Sequence, residues 1–307
     1  MRNAFAAEIT ALASENKQIV LLSGDIGNRL FDNYKAHFED RFFNCGVAEA
    51  NMIGVAAGMA MSGLRPVTYT IASFATARCL EQIRVDVCYH NLPVTIVGVG
   101  AGLSYASAGA THQSCEDIAM LRILPNMTVI CPGDALEVRQ AIRAASEHNG
   151  PVYVRLGKKG EPDVHSQSPD FKIGKGIVVR DGSDICLLSV GNMLPTSVYT
   201  AQELEKKGIS ARVVSFHTIK PLDQDLLEKA FAKFKLVLSI EEHTVLGGLG
   251  SSIAEWLVAN PTSAAKFLPI GTPDKYYHKA GDQAYVREQF GLTERAIIKR
   301  ILEKLTE

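Results

Sequence analysis

A chain of 307 residues is long enough for roughly two domains, each with its own buried core. Its formal net charge of −1 carries no electrostatic footprint for nucleic acid or an acidic membrane, and no apolar run reaches the ~18 residues that a bilayer crossing needs. The six cysteines, Cys45, Cys79, Cys88, Cys115, Cys131 and Cys186, include no Cys-x-x-Cys pair and sit mostly in apolar segments, which suits reduced core thiols in a cytoplasm better than a metal site or a disulfide framework.

Residues 3–15 place Phe5, Ile9 and Leu12 at helical spacing with charges between them, so the N-terminus is expected to be a folded helix and not a signal peptide. Gln18-Ile-Val-Leu-Leu-Ser-Gly-Asp25 is a short apolar run that stops at a turn. That pattern predicts a buried strand and a loop at its C-terminal end, where ligands sit in open parallel sheets. Further strands are expected at 42–45, 65–71, 93–98, 127–131 and 152–155, with helices from Ala48, over 74–90 and over 134–147. Residues 157–176 break the rhythm with Gly157, Lys158, Lys159, Gly160, Pro162, Ser166, Ser168 and Pro169, and are expected to join two domains. Alternation resumes with strands at 185–190, 211–215 and 235–240 and helices at 194–207, 223–232, 250–258 and 293–305. The fold class is therefore α/β, with two domains, each a mostly parallel sheet flanked by helices. Their expected bounds are 1–160 and 181–307, with a linker over 161–180.

The stretch from Cys45 to Ala60 puts one carboxylate, Glu49, into apolar, small-residue surroundings at the first turn of a helix. It fits an ordinary acid favoured by the helix dipole, and it equally fits a buried acid kept for proton chemistry. Gly54, Ala56, Ala57, Gly58 and Ala60 would let another backbone approach that helix closely, which makes it the candidate subunit contact. His112 ends a small-residue loop immediately before a helix, where an imidazole can pass protons, although a lone histidine is more often structural. Phe74 follows a strand where it could stack on a flat ligand ring or simply pack into the core. Other motifs are weaker. Gly98-Val-Gly-Ala-Gly102 does not lead directly into a helix, as a dinucleotide fingerprint must. Leu246-Gly-Gly-Leu-Gly250 precedes a helix and fits a tight turn better than an anion cradle, and His243 beside Glu241 and Glu242 lacks a second histidine at metal-ligand spacing.

Taken together, Gly46-Val-Ala-Glu-Ala-Asn-Met, Phe74, Gly109-Ala-Thr-His-Gln-Ser-Cys-Glu-Asp-Ile-Ala and Leu124-Pro-Asn-Met-Thr-Val-Ile-Cys-Pro-Gly-Asp occur in one order at one set of spacings. With Val213-Val-Ser-Phe-His-Thr-Ile-Lys-Pro-Leu-Asp, Glu241-Glu-His-Thr-Val-Leu-Gly-Gly-Leu-Gly and Gly271-Thr-Pro-Asp-Lys-Tyr-Tyr, they resemble the C-terminal half of transketolases over essentially the whole length. The chain looks most like the C-terminal subunit of a split transketolase. The resemblance implies a thiamine-diphosphate enzyme with a pyrimidine-binding domain followed by a transketolase C-terminal domain. Glu49 matches the glutamate that hydrogen-bonds N1′ of the aminopyrimidine and sets its tautomer, so that the cofactor serves as its own base. Phe74 matches the ring stacked on the pyrimidine, and Asp25 and Ile26 match the Asp-Leu pair that approaches the thiazolium. His112 matches the histidine beside the reacting substrate oxygens. Arg2 and Arg155 lie where related enzymes place phosphate-binding arginines.

Departures from the family pattern carry their own implications. The family's diphosphate signature, Gly-Asp-Gly followed by an asparagine that holds Mg²⁺, is found nowhere in the chain, since Asp181-Gly182 lacks the preceding glycine. The resemblance thus implies an N-terminal partner subunit that holds the diphosphate and Mg²⁺, in an α₂β₂ assembly, with the isolated chain a homodimer. Aligned on Thr111-His112, the family's sugar-reading aspartate falls at Ala108 and a phosphate-contacting histidine at Gly100. A different sugar, a shorter one, or one without the usual phosphate contact is expected. Rival readings are a 1-deoxyxylulose-5-phosphate synthase-like enzyme, a 2-oxoacid dehydrogenase beta subunit, and a non-catalytic scaffold that keeps the fold.

Overall fold

Buried apolar runs of five to seven residues dominate the strands, as expected where helices cover both faces of a parallel sheet. The computed structural model describes residues 1–27, 29–158, 160–261, 265–279 and 281–307; Lys159, within the expected linker, lies outside them. In chain order the strands are β1 (Ile19–Ser23), β2 (Phe42–Asn44), β3 (Arg65–Ile71), β4 (Thr95–Val99), β5 (Thr128–Ile130), β6 (Val152–Leu156), β7 (Ile177–Arg180), β8 (Ile185–Ser189), β9 (Ala211–Ser215), β10 (Thr218–Lys220), β11 (Leu236–Thr244) and β12 (Lys266–Thr272). They form two sheets, ordered β10-β5-β6-β4-β3-β1-β2 and β12-β11-β8-β9-β7. Every described pairing is parallel except β10 with β5 and β7 with β9.

Two strands depart from the expected division of the chain. Ile177–Arg180, inside the stretch expected to be linker, is the antiparallel edge of the second sheet. Thr218–Lys220 leaves the second half of the chain and closes the first sheet, with Cys131 N–H donating to the His217 carbonyl at 2.6 Å beside it. One core accordingly runs through both halves: Leu22, Ile53, Ile96 and Val129 pack in the same apolar cluster as Leu188, Phe216 and Val237.

The Glu49 helix spans Glu49–Met61 and buries Met52, Ile53, Ala56, Ala57 and Ala60. Its small residues divide between two sides. The alanines face the core, while Gly54 and Gly58 have open space where a side chain would stand, next to exposed Val55 and Met61. The continuous helix expected over 74–90 is broken. Ala72–Thr76 is α-helical, Ala77–Cys79 a tighter turn, Leu80–Gln82 α-helical again, and Ile83–Tyr89 widens to π geometry. At the break the Cys79 thiol donates to the Phe74 carbonyl at 3.2 Å. Such irregular turns inside a helix recur at functional sites.

Candidate active site at one edge of the first sheet

Because β1, β2, β3, β4 and β6 run parallel, the loops that follow them gather at one edge. After β1, Asp25 takes a left-handed backbone conformation (φ 56°) and accepts a hydrogen bond from Asn44 Nδ2 at 2.9 Å. Asn44 also accepts from Gly46 N–H at 3.0 Å, so a single side chain stitches the loop after β1 to the turn that starts the Glu49 helix. Ser23 Oγ donates to the Ile26 carbonyl at 2.7 Å, completing that turn. Gly24 leaves room at its base: a Cβ there would stand 3.0 Å from Thr70 Oγ1 and 3.4 Å from Glu49 Cγ, and the neighbouring side chains would have to shift.

Glu49 itself is 2% exposed. It sits in the first turn of its helix, where the N-terminal dipole favours a carboxylate, and its Oε2 accepts from Arg78 Nη1 at 2.8 Å. From there the site runs as a line of contacts. The Arg78 guanidinium lies 4.4 Å from the centroid of Phe74, and Phe74 meets His112 edge-on at 5.1 Å. His112 in turn faces Tyr105 at 6.3 Å, and Lys158 lies over the Tyr105 ring at 4.6 Å. Burial raises the Tyr105 hydroxyl, with Arg2 beside it pulling the other way. Thr111 Oγ1 bonds His112 Nδ1 at 2.9 Å, and Ser73 Oγ donates to the Thr111 carbonyl at 3.1 Å, which locks the histidine loop to the Phe74 turn.

The fold thus brings Asp25, Ile26, Glu49, Phe74, His112 and Arg2 to this edge. Arg155 is the exception. It is 3% exposed, its Nε donates to Asp117 Oδ2 at 2.8 Å, and its Nη2 donates to the carbonyls of Ser114 and Glu242. A guanidinium so enclosed and bonded braces the domain junction, and a substrate phosphate has no approach to it. Another cation at this edge is Lys158, on the loop after β6, which lies over the Tyr105 ring. Arg78, Tyr105 and Lys158 were not singled out from the sequence. Arg78 had a usable signal, since it follows Phe74 by four residues and so shares its side of a helical turn.

The weaker motifs resolve into structure. The amides of Leu249 and Gly250, at the start of helix Leu249–Ala259, donate to the Glu241 carboxylate at 2.9 and 2.8 Å, so the chain's own carboxylate fills that anion cradle. His243 Nε2 accepts from Ala119 N–H at 3.3 Å and its Nδ1 meets the Thr244 carbonyl at 2.8 Å, which leaves neither nitrogen for a metal. Gly98 lies within β4, packed against Tyr153.

A buried carboxylate near an aromatic ring at a loop edge, both in contact with Arg78, fits the pyrimidine end of thiamine diphosphate. Among the described residues no group of three or more His, Cys, Asp or Glu is arranged to hold a metal ion.

Comparison with known proteins places the chain in a family. Residues 1–161 match the transketolase pyrimidine-binding domain and residues 174–297 the transketolase C-terminal domain. A "Putative transketolase C-terminal section" of Methanocaldococcus jannaschii is 36% identical, over 99% of this chain and 96% of that protein. The "6-deoxy-6-sulfo-D-fructose transketolase subunit SqwH" of Clostridium sp. is 34% identical, over 100% of this chain and 94% of that protein. A solved structure titled "Split gene transketolase, inactive beta4 tetramer" superposes with a TM-score of 0.89 at 37% identity, covering 99% of this chain and 97% of that one. The chain belongs to the transketolase family, as the part that carries its pyrimidine-binding and C-terminal domains.

Proposed function

We propose that the chain is the C-terminal subunit of a two-component, thiamine-diphosphate-dependent transketolase that moves a two-carbon ketol unit from a ketose or its phosphate to an aldose or its phosphate. The observation that carries this reading is the buried Glu49 beside Phe74 and His112 at one loop edge. Thiamine diphosphate, when bound, supplies the electron sink for breaking and re-forming a carbon–carbon bond next to a carbonyl.

The chain's own residues divide the remaining work. Glu49 holds a proton at the pyrimidine N1′, and Phe74 offers its ring face to the pyrimidine. Asp25 and Ile26, fixed by Asn44 and Ser23, would help to hold the thiazolium part of the cofactor. His112, oriented by Thr111, serves the substrate oxygens as proton donor or acceptor. Arg2 and Lys158, at the Tyr105 end, supply positive charge for an anionic terminus of the sugar. Ala108 and Gly100, at the family's sugar-reading and phosphate-contacting positions, point to a substrate other than that of standard transketolases.

In this reading the enzyme is active only with an N-terminal subunit that binds the diphosphate and Mg²⁺, as a cytoplasmic α₂β₂ assembly. The domains are 1–160 and 181–307, with strand Ile177–Arg180 added to the second, so that they are joined through 161–176. Without its partner the chain is expected to self-associate as a homodimer, and the relative described as an inactive beta4 tetramer supports self-association.

Calorimetric titration with thiamine diphosphate and Mg²⁺ tests the reading, on this chain alone and on the chain co-expressed with the one encoded beside it. Binding confined to the mixture is the expected result. Tight binding by the isolated chain would overturn the division of labour, and no binding in the mixture would overturn the cofactor.

A further inference from the structure

Arg78 makes both contacts that the reading above gives to the cofactor's aminopyrimidine. Its Nη1 stands 2.8 Å from Glu49 Oε2, and its guanidinium lies 4.4 Å from the Phe74 ring centroid. A flat heteroaromatic ring that stacks on Phe74 while hydrogen-bonding Glu49 needs the same space. Guanidinium is itself planar, delocalised and rich in N–H donors, so it matches an aminopyrimidine in shape and in bonding.

The two partners are unequally placed. The Glu49 side chain is 2% exposed and costs free energy if left there as an unpaired charge, whereas the Arg78 side chain is 48% exposed and can turn outward into water. It also sits at the tight turn Ala77–Cys79, where the helix is already interrupted.

We propose that Arg78 is an internal stand-in for the aminopyrimidine: it holds Glu49 and Phe74 in place before the cofactor arrives, and it must withdraw for the cofactor to enter. The inference rests on the proposed function, because it takes Glu49 and Phe74 to be the pyrimidine's partners. Its consequence is a measurable handicap on binding. Only the fraction of molecules with Arg78 withdrawn can accept the cofactor, and the apparent dissociation constant rises by the inverse of that fraction.

The test is calorimetric titration of the two-subunit complex with thiamine diphosphate at saturating Mg²⁺, for the wild type, Arg78→Met and Arg78→Lys. Loss of one charge-assisted hydrogen bond predicts about tenfold tighter binding by Arg78→Met. Arg78→Lys keeps a charge for Glu49 without the flat face, so it should fold as the wild type does and bind a few-fold tighter. In the chain without partner, Arg78→Met should melt at a lower temperature than the wild type, and Glu49→Gln combined with Arg78→Met should restore it. Equal or weaker cofactor binding by both variants, with the wild type binding normally, would overturn the stand-in and leave the proposed function intact. Failure of the wild-type complex to bind would overturn both.

Discussion

Glu242, on β11 of the second domain, accepts the backbone N–H of Leu103 at 2.7 Å, and so takes hold of the loop that carries His112. Asn192 Nδ2 and Gln283 Nε2 donate to the same carboxylate at 3.0 and 2.9 Å, and Arg287 pairs with it. From the other side, Arg155 Nη2 bonds the carbonyls of Ser114 and Glu242, and Gly102 and Ser114 bond each other across the loop. The second domain therefore braces the loop of the first that carries His112. Truncating Glu242 to Ala would leave buried donors and the Arg287 charge without their acceptor, which costs roughly 3–5 kcal/mol for a broken buried pair. The expected outcome is a lower urea midpoint and a lower kcat in the reconstituted enzyme, with cofactor affinity less affected because Glu49 and Phe74 are held on helices of the first domain. A Glu242→Ala variant with wild-type kcat would show that the loop holds its shape unaided.

Glu49→Gln separates structure from proton chemistry. The amide keeps the size of the side chain and can still accept from Arg78, so assembly with the partner should survive. What it loses is a group able to hold and release a proton, and the expected fall in kcat is ~10²–10⁴-fold. Size-exclusion chromatography beside steady-state assays would check both halves of the statement. A variant that assembles and turns over normally would exclude Glu49 from the chemistry.

How much was legible beforehand follows from the range of each interaction. Runs such as Ile19–Ser23 and Leu236–Ile240 announce buried parallel strands, because both faces of the sheet are covered and the sequence need not alternate. Glu49, Phe74 and His112 were candidates by residue type, and the resemblance to transketolases implied their roles. Strand Thr218–Lys220 did not stand out, since three residues joining the far sheet carry no local periodicity. For the same reason the burial of Arg155 was not legible. That residue ends an ordinary strand, and its partner Asp117 lies 38 residues away in sequence and is unrelated to it by any local pattern. Arg78 lay inside what looked like one amphipathic helix, where its spacing from Phe74 was legible but its approach to Glu49, across the broken turn, was not.

Lys158 and Arg155 should behave oppositely on mutation. Lys158 stands over Tyr105 at the open end of the site, so Lys158→Ala is expected to leave folding intact and to raise KM for an anionic sugar about 10–100-fold, the equivalent of one charge-assisted hydrogen bond. A neutral sugar of the same skeleton should be affected far less. Arg155→Ala is expected to damage folding instead, because Asp117, 0% exposed, would lose its counter-charge. Kinetics with charged and uncharged acceptors, beside urea titrations, would distinguish the two residues. A soluble, stable Arg155→Ala protein with a selective defect on phosphorylated substrates would restore Arg155 to the substrate site.

His217 offers a test of the domain junction through pH. Its ring stacks on Phe171 at 3.9 Å and its Nδ1 meets Thr218 Oγ1 at 2.9 Å. Burial lowers the imidazole from 6.5 to about 3, with the charge of His165 pulling in the same direction and a backbone hydrogen bond at Lys175 opposing them. The unfolded chain takes up a proton near 6.5 that the folded chain refuses until about 3. The unfolded state binds more protons throughout that window, and stability must fall as the pH drops through it. His243, lowered by burial to about 4, adds a loss of the same sign, whereas Glu241, raised by burial to about 7, loses stability as the pH rises toward that value. His217→Phe keeps a flat ring against Phe171 and removes one of these protons. Whatever its offset at neutral pH, its stability relative to the wild type should improve as the pH falls from 6.5 toward 4, by up to about 1.4 kcal/mol per pH unit. Urea midpoints measured across that range would reveal the slope. Parallel curves for the two proteins would mean that His217 accepts its proton within the folded chain, and that the junction between β9 and β10 admits water.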